Sequence, residues 1–294
     1  MLTAILGLLT AITYGSADFF AAIASRKVRV VVVTAVASLS GLIVLLLLLP
    51  FLGGTFSQPA IFWGLMGGFS SVVALLALYA SLALGPISII SPLGALVSAI
   101  VPAAIGVALL GESFSILGWA AIALALVAVV LVGFVPPSSN AGKEVLMPKP
   151  RAIVLAIIAG AGIGVAVTSL ARSPADSGIA PIIVMRTTAS LLLGAIVLIG
   201  VHRGQKAAAE GNSQPLTTRV WLTVAAAGLL DAGANIFFTL ASRSGTLTVV
   251  GVLTALYPLG TILLARLVLK EHVANTQKVG IAISLTASLL LALA

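Results

Sequence analysis

Two aspartates, Asp18 and Asp231, stand inside apolar runs. Asp231 sits in the middle of such a run, and Asn235 follows one helical turn later on the same face. A carboxylate at the centre of a bilayer costs roughly 2.5–3.5 kcal/mol on insertion scales, so it normally faces a cavity, a partner or an ion path. The pair therefore reads as a substrate contact or a proton-coupling group, with a polar clamp between helices as the other reading. Proton coupling predicts that Asp231→Asn abolishes concentrative transport and spares exchange. Asp18 precedes the basic turn Ser25-Arg26-Lys27 by about 10 Å of helix at 1.5 Å per residue. It is a second carboxylate at a cavity mouth, or it pairs with Arg26 or Lys27, or it closes the helix end. Arg186 enters its own apolar run from the opposite side, and its depth overlaps that of Asp231 and Asn235. An Arg186–Asp231 or Arg186–Asn235 contact would form a gate or an anchor for an anionic group. Snorkelling of Arg186 to lipid headgroups is the alternative.

Other residues qualify as cavity lining. Tyr257-Pro258 falls midway through a late apolar run, and Pro92 and Pro102 fall in an early one beside Ser91 and Ser98. Proline removes a backbone donor and opens the local helix ladder, which suits a flexible, partly polar wall as well as ordinary packing. Thr254 and the mid-helix Tyr14 join this group. Tyr79 does too, although aromatics near helix ends, such as Tyr79 and Trp63, also form interfacial belts. Glu112 and Glu271 each begin a loop before the last apolar run of their half, where a carboxylate complements a helix N-terminus in a structural or gating role.

Enzymatic chemistry finds little to work with. The chain has no Cys, and its two His residues, His202 and His272, lie in or beside loops. No metal-ligand cluster is spaced for binding, and no Ser has a His and a carboxylate at matching depth. Gly160, Gly162 and Gly164 sit inside an apolar run with no preceding strand, so they are not a dinucleotide fingerprint. Like Gly64, Gly67 and Gly68, they read as close-packing positions. No cofactor is expected beyond a possible coupling proton.

These residues need membrane helices to position them. The 294 residues are 61% hydrophobic and 7% charged, with a mean hydropathy of +1.27. Soluble domains carry about 25% charged residues, so a water-facing surface cannot be built from this composition. The net charge of +8 lies almost entirely between the apolar runs. It matches topology and lipid headgroups better than nucleic acid. Ten runs approach the roughly 20 residues needed to span: about 2–24, 30–50, 60–83, 87–110, 115–135, 151–171, 180–201, 219–241, 246–269 and 276–294. The first has no basic region before it and reads as a span, not a cleaved signal.

The runs are duplicated. With a shift of about 160, Gly68 falls on Gly228, Gly85 on Gly245, Ala95 on Ala255 and Leu96 on Leu256, and Glu112 falls on Glu271 after a one-residue slip. This gives a first unit at 1–137, a linker at 138–150 and a second unit at 151–294. Five spans per unit is odd, so the second unit is inverted, a pattern that places a site near the midplane. The units are not equal in polarity, since Asp231 falls on Ser71 and Tyr257 on Val97. Calling the amino-terminal side A, its loops hold Arg172 and Arg243, with Arg186 just inside. The other Lys and Arg positions, including Arg26, Lys27, Arg29, Arg219, Arg266 and Lys278, fall on side B. The positive-inside rule then puts both termini outside the cytoplasm.

The stretches YGSADFFAAIASR, ALYASLALGPISIISPLGALVSAIVPAAIGVALLGE and FTLASRSGTLTVVGVLTALYPLGTILLARLVLKE resemble the ten-helix, EamA-domain members of the drug/metabolite transporter superfamily. The resemblance implies an all-α polytopic membrane protein of two inverted five-helix repeats around a central cavity. Spans 1, 3, 4, 6, 8 and 9 would line it, and spans 5 and 10 would be peripheral. It implies alternating-access transport of a small metabolite, with export of amino acids or related compounds as the first expectation. Import or facilitated passage of a sugar-like solute and a non-transporting packing partner are the alternatives. The expected partners are a small-molecule substrate and the bilayer of a cell membrane, bacterial inner membrane by type, as a monomer or homodimer. The resemblance places both termini in the cytoplasm, opposite to the charge count.

Overall fold

The computed structural model describes residues 1–82, 84, 87–133, 149–202, 217–270 and 274–293. Each expected span meets a helix. The order is α1 (Leu2–Ser25), α2 (Val30–Leu52), α3 (Gln58–Leu82), α4 (Ile87–Leu110), α5 (Ile116–Gly133), α6 (Pro150–Arg172), α7 (Ala180–His202), α8 (Thr218–Ser244), α9 (Leu247–Thr254), α10 (Pro258–Val268) and α11 (Asn275–Leu293). No strand occurs among the described residues. With no water to satisfy a peptide group in hydrocarbon, each apolar run closes its own hydrogen bonds as a helix. Eight spans are long and apolar enough to cross a membrane, with α9 and α10 together making one of them, Leu247–Val268. A shorter apolar helix, Ile116–Val132, is the fifth span. The 19 residues of α11 reach about 28 Å, close to the hydrocarbon thickness. The expected linker, 138–150, lies outside the described residues except at its last two positions.

The packing is two-fold. α1 lies on α8 as α6 lies on α3, and α4 lies on α6 as α9 and α10 lie on α1. α2 meets α8 as α7 meets α3, and α2–α7, α4–α9 and α5–α11 pair across the two units. Exchanging the first five spans with the last five maps every one of these pairings onto another. Five crossings per unit reverse the chain's direction, so the repeats are inverted. As expected, α5 and α11 are peripheral and pack on each other.

Small residues carry this packing, because lipid removes the hydrophobic drive between helices and leaves van der Waals contact to do the work. Gly64 and Gly68 of α3 press on Val184 and Thr188 of α7, and Gly160 and Gly164 of α6 press on Val97 and Val101 of α4. Large side chains such as Leu47, Leu191 and Leu222 point outward to lipid.

The prolines act unequally. Pro258 opens α10 at its first turn, and three residues, Ala255, Leu256 and Tyr257, separate α9 from α10. Tighter bonds span this break, from Leu256 N–H to Leu253 O (3.1 Å) and from Tyr257 N–H to Thr254 O (3.0 Å). This break falls at the position expected to bend. It is not repeated at Pro92 and Pro102, since α4 runs through both without interruption. The Pro102 ring fits against Gly251 of α9, where a Cβ would collide with it.

At the break, α1 approaches α10 backbone to backbone. A Cβ on Gly15 would overlap the Tyr257 carbonyl and press on the Thr261 amide, whose side chain donates to Gly15 O at 2.9 Å. Overpacking of this kind costs about 1–3 kcal/mol. Gly15→Ala should therefore lower the thermal unfolding midpoint of the purified protein. Gly194→Ala, at a helical position with nothing within 4 Å of the new Cβ, should leave it level or raise it. Equal midpoints for the two variants would remove this account of the α1–α10 approach.

Candidate functional site

A cavity of about 300 Å³ opens between the units. Tyr14, Ala17, Asp18 and Ala21 of α1 face it, because their three- and four-residue spacing sets them on one helical stripe. Across from them stand Ser98 of α4, Asp231 of α8, and Thr254 and Tyr257 at the break. Spans α3 and α6 complete the apolar wall, as expected. Spans α2 and α7 also line the cavity, through Thr34 and Ser38 and through Arg186 and Ala189, which the expected lining of 1, 3, 4, 6, 8 and 9 left out.

Arg186 and Asp231 form an ion pair between the guanidinium Nη2 and the carboxylate Oδ2, with side chains 13% and 27% exposed. The structure thus chooses the cross-helix pair over snorkelling to headgroups. Asn235 does not face the cavity. It is fully buried, accepts from the Tyr14 hydroxyl at 2.8 Å and donates to the Asp231 backbone carbonyl at 2.7 Å. It holds Tyr14 in place from behind the wall and is not a lining residue. Asp18 is exposed to the cavity. Among the described residues it forms no hydrogen bond or ion pair, so the expected closure onto Arg26 or Lys27 is absent there. Tyr14 lies within Coulombic reach of both Arg186 and Asp18, and Tyr257 within reach of Asp18.

Sequence reasoning overlooked the hydroxyls of Thr34 and Ser38, and it noted Ser71 only as the counterpart of Asp231. A polar residue in an otherwise aliphatic run was the available signal. Glu271 lies outside the described residues, as do the side chains of Tyr79 and Ser91.

The lining residues approach both sides, with Ala21 near the end of α1, Thr34 near the start of α2 and Leu78 near the end of α3 on side B, and Gly251 near the start of α9 and Met185 near the start of α7 on side A. Side A is closed by bonds between segments distant in the chain. Glu112 accepts from the backbone N–H groups of Leu247 (2.6 Å) and Thr248 (3.0 Å). The expected helix-dipole role is met on a different helix, since Glu112 caps α9 of the other unit and not the start of α5. Arg243 donates to Gly178 O at 2.9 Å, Thr55 N–H donates to Ser177 O at 3.2 Å, and Thr3 donates to Ser244 O at 2.8 Å. Gly178 holds a positive φ of 55° directly over Gly53.

A carboxylate on a helix N-terminus makes charge-assisted bonds, and losing such a cap costs about 0.5–2 kcal/mol. Glu112→Gln keeps the shape and removes the charge. We expect it to loosen side A, which maleimide labelling of a Ser177→Cys reporter would show. That position is fully buried, and the natural chain has no Cys to add background. Labelling that stays as slow as in the parent would sink the latch role of Glu112.

Comparison with known proteins places this arrangement. A family model described as "EamA-like transporter family" matches residues 1–134 and 150–293. No curated protein matches the chain. Among solved structures 29 chains match. One of them, titled "Crystal structure of protein", superposes with a TM-score of 0.74 at 18% identity, covering 99% of this chain and 96% of its own. That likeness is one of fold.

Proposed function

Because the chain belongs to the EamA-like transporter family, whose members are membrane transporters of small solutes, we propose that it is a secondary active exporter of a small metabolite. Amino acids or related compounds are the first substrate class. The observation that carries this reading is the cavity itself. It lies between two inverted units, holds a partly buried ion pair and an unpaired carboxyl group, and is bounded on side A by bonds between the units. A fixed midplane site served alternately from two sides is the general use of this architecture.

The orientation follows from charge. Lys and Arg gather on side B, so the positive-inside rule makes side B cytoplasmic. An exporter loads from that side. This orientation sets the charge count above the termini-inside arrangement that the family resemblance implies. In a bacterium the membrane would be the inner one. Opening side A would break the Glu112 cap and the Arg243 bonds while side B closes. Asp18 and Asp231 are the groups able to carry a coupling proton. Asp231 is already committed to Arg186, which leaves Asp18 as the one whose charge a proton can change without breaking a pair.

A thermal-shift screen of the purified protein against amino acids, amines and sugars tests the reading. A solute bound to the folded state at 100 times its Kd adds about 2.7 kcal/mol of stability. At least one small polar metabolite should raise the midpoint at concentrations up to about 10 mM. A flat response across the panel would favour a non-transporting packing partner.

A further inference from the structure

The cavity's hydrogen-bonding sign points to its ligand. A hydroxyl that donates to a carbonyl has spent its hydrogen and presents only lone pairs to whatever lies beside it. Four lining hydroxyls do this. Thr34 donates to Val30 O at 3.0 Å, Ser38 to Arg186 O at 3.4 Å, Ser71 to Gly67 O at 2.8 Å and Ser98 to Ala95 O at 2.8 Å. Tyr14 has likewise given its hydrogen to Asn235. Apart from Arg186, Thr254 and Tyr257, the polar side chains of the wall therefore offer acceptors and not donors.

Its charge has the same sign. The described lining residues include two aspartates and one arginine, with no other acidic or basic side chain. Arg186 pairs with Asp231 through Nη2, and its Nε–H is buried with no hydrogen-bond partner. Asp18 is left as an unpaired carboxyl group on the cavity surface. A second observation independent of the carboxylate marks the same space. Thr254 is 7% exposed, lines the cavity, and its hydroxyl has no hydrogen-bond partner. A buried hydroxyl left without a partner costs about 1–3 kcal/mol, which a bound ligand can recover.

We propose that Asp18, flanked by Tyr14, Tyr257 and Thr254, is the subsite for a protonated amino group on the transported solute. The inference rests on the reading of this cavity as a transport site, and it fixes the sign of the recognised group. An ammonium offers three N–H donors and no acceptor. It therefore complements a carboxylate, a phenol oxygen and a hydroxyl oxygen together. An anion would meet these lone pairs and the Asp18 carboxyl group, with Arg186 already paired to Asp231. The solute's apolar remainder would lie against Val72, Leu75 and Leu78 of α3 and Met185 of α7.

A matched six-carbon set tests this: hexylamine, hexanoate and norleucine, each titrated at pH 7 into the purified full chain while the unfolding midpoint is followed. Hexylamine and norleucine should raise the midpoint, and hexanoate should not. Asp18→Asn should weaken the hexylamine response by about tenfold or more, the worth of a charge-assisted bond. Thr254→Val should weaken it about three- to tenfold. A hexanoate shift equal to that of hexylamine overturns the proposal. So does a wild-type response in Asp18→Asn, or the absence of any hexylamine shift in the parent. Flux in vesicles separates this from the transporter reading. Vesicles that move a neutral or anionic solute while hexylamine leaves the midpoint unchanged remove the subsite alone. Hexylamine binding with no flux of any solute removes the transporter reading alone.

Discussion

Arg186→Met is expected to cost the protein about 1–3 kcal/mol of stability, because removing one partner of a partly buried ion pair leaves the other unpaired. The side chain that remains, Asp231, is 27% exposed in the pair and would stand in a cavity wall with no cation beside it. Proton uptake offers no cheaper escape, because neutralising a free carboxylate at pH 7 itself costs about 4 kcal/mol. The double variant, Arg186→Met with Asp231→Leu, removes both charges and leaves no orphan. Apolar replacement of a whole buried pair is often neutral or better, so its unfolding midpoint should return close to the parent's. If the single variant unfolds at the parent's midpoint, the pair is not a structural tie between α7 and α8.

Asp18→Asn should behave in the opposite way. With no partner among the described residues, Asp18 holds nothing together, and its amide replacement should change stability by no more than about 0.5 kcal/mol. Transport should fall by about tenfold or more, both under an imposed gradient and in solute exchange, since a residue that holds the solute is needed in both modes. A residue that carried only the coupling proton would lose the first mode and keep the second. Paired measurements on vesicles of each variant therefore assign the two carboxylates separately. One is a tie whose loss unfolds the wall, and the other is a contact whose loss empties the site.

The spans were legible because hydrocarbon imposes one solution on an apolar run, and the short polar turns between them had few ways to be placed. The Arg186–Asp231 pair was legible from depth alone, as two charges entering the bilayer to overlapping levels. Depth does not give the angle at which a side chain leaves its helix. Asp231 and Asn235 share a face, yet one reaches the cavity and the other ends behind it on Tyr14. The prolines show a similar limit. Pro92, Pro102 and Pro258 are chemically equal, but only Pro258 follows a turn whose carbonyl fits over a glycine of α1. The Glu112 cap joins residues more than a hundred positions apart. Only the inverted packing of the two units brings them together. The lining by α2 and α7 left only a faint trace in sequence, a few polar residues such as Thr34, Ser38 and Arg186 in otherwise aliphatic runs.

Flux through vesicles containing only the purified protein tests the central claim most directly. The account predicts movement of an amine-bearing solute such as norleucine above the level of protein-free vesicles. It predicts acceleration when an opposing proton gradient is imposed, and loss of both in Asp18→Asn. Vesicles of the folded parent protein that pass no amino acid, amine or sugar above the protein-free level, under a gradient of either direction, would contradict it.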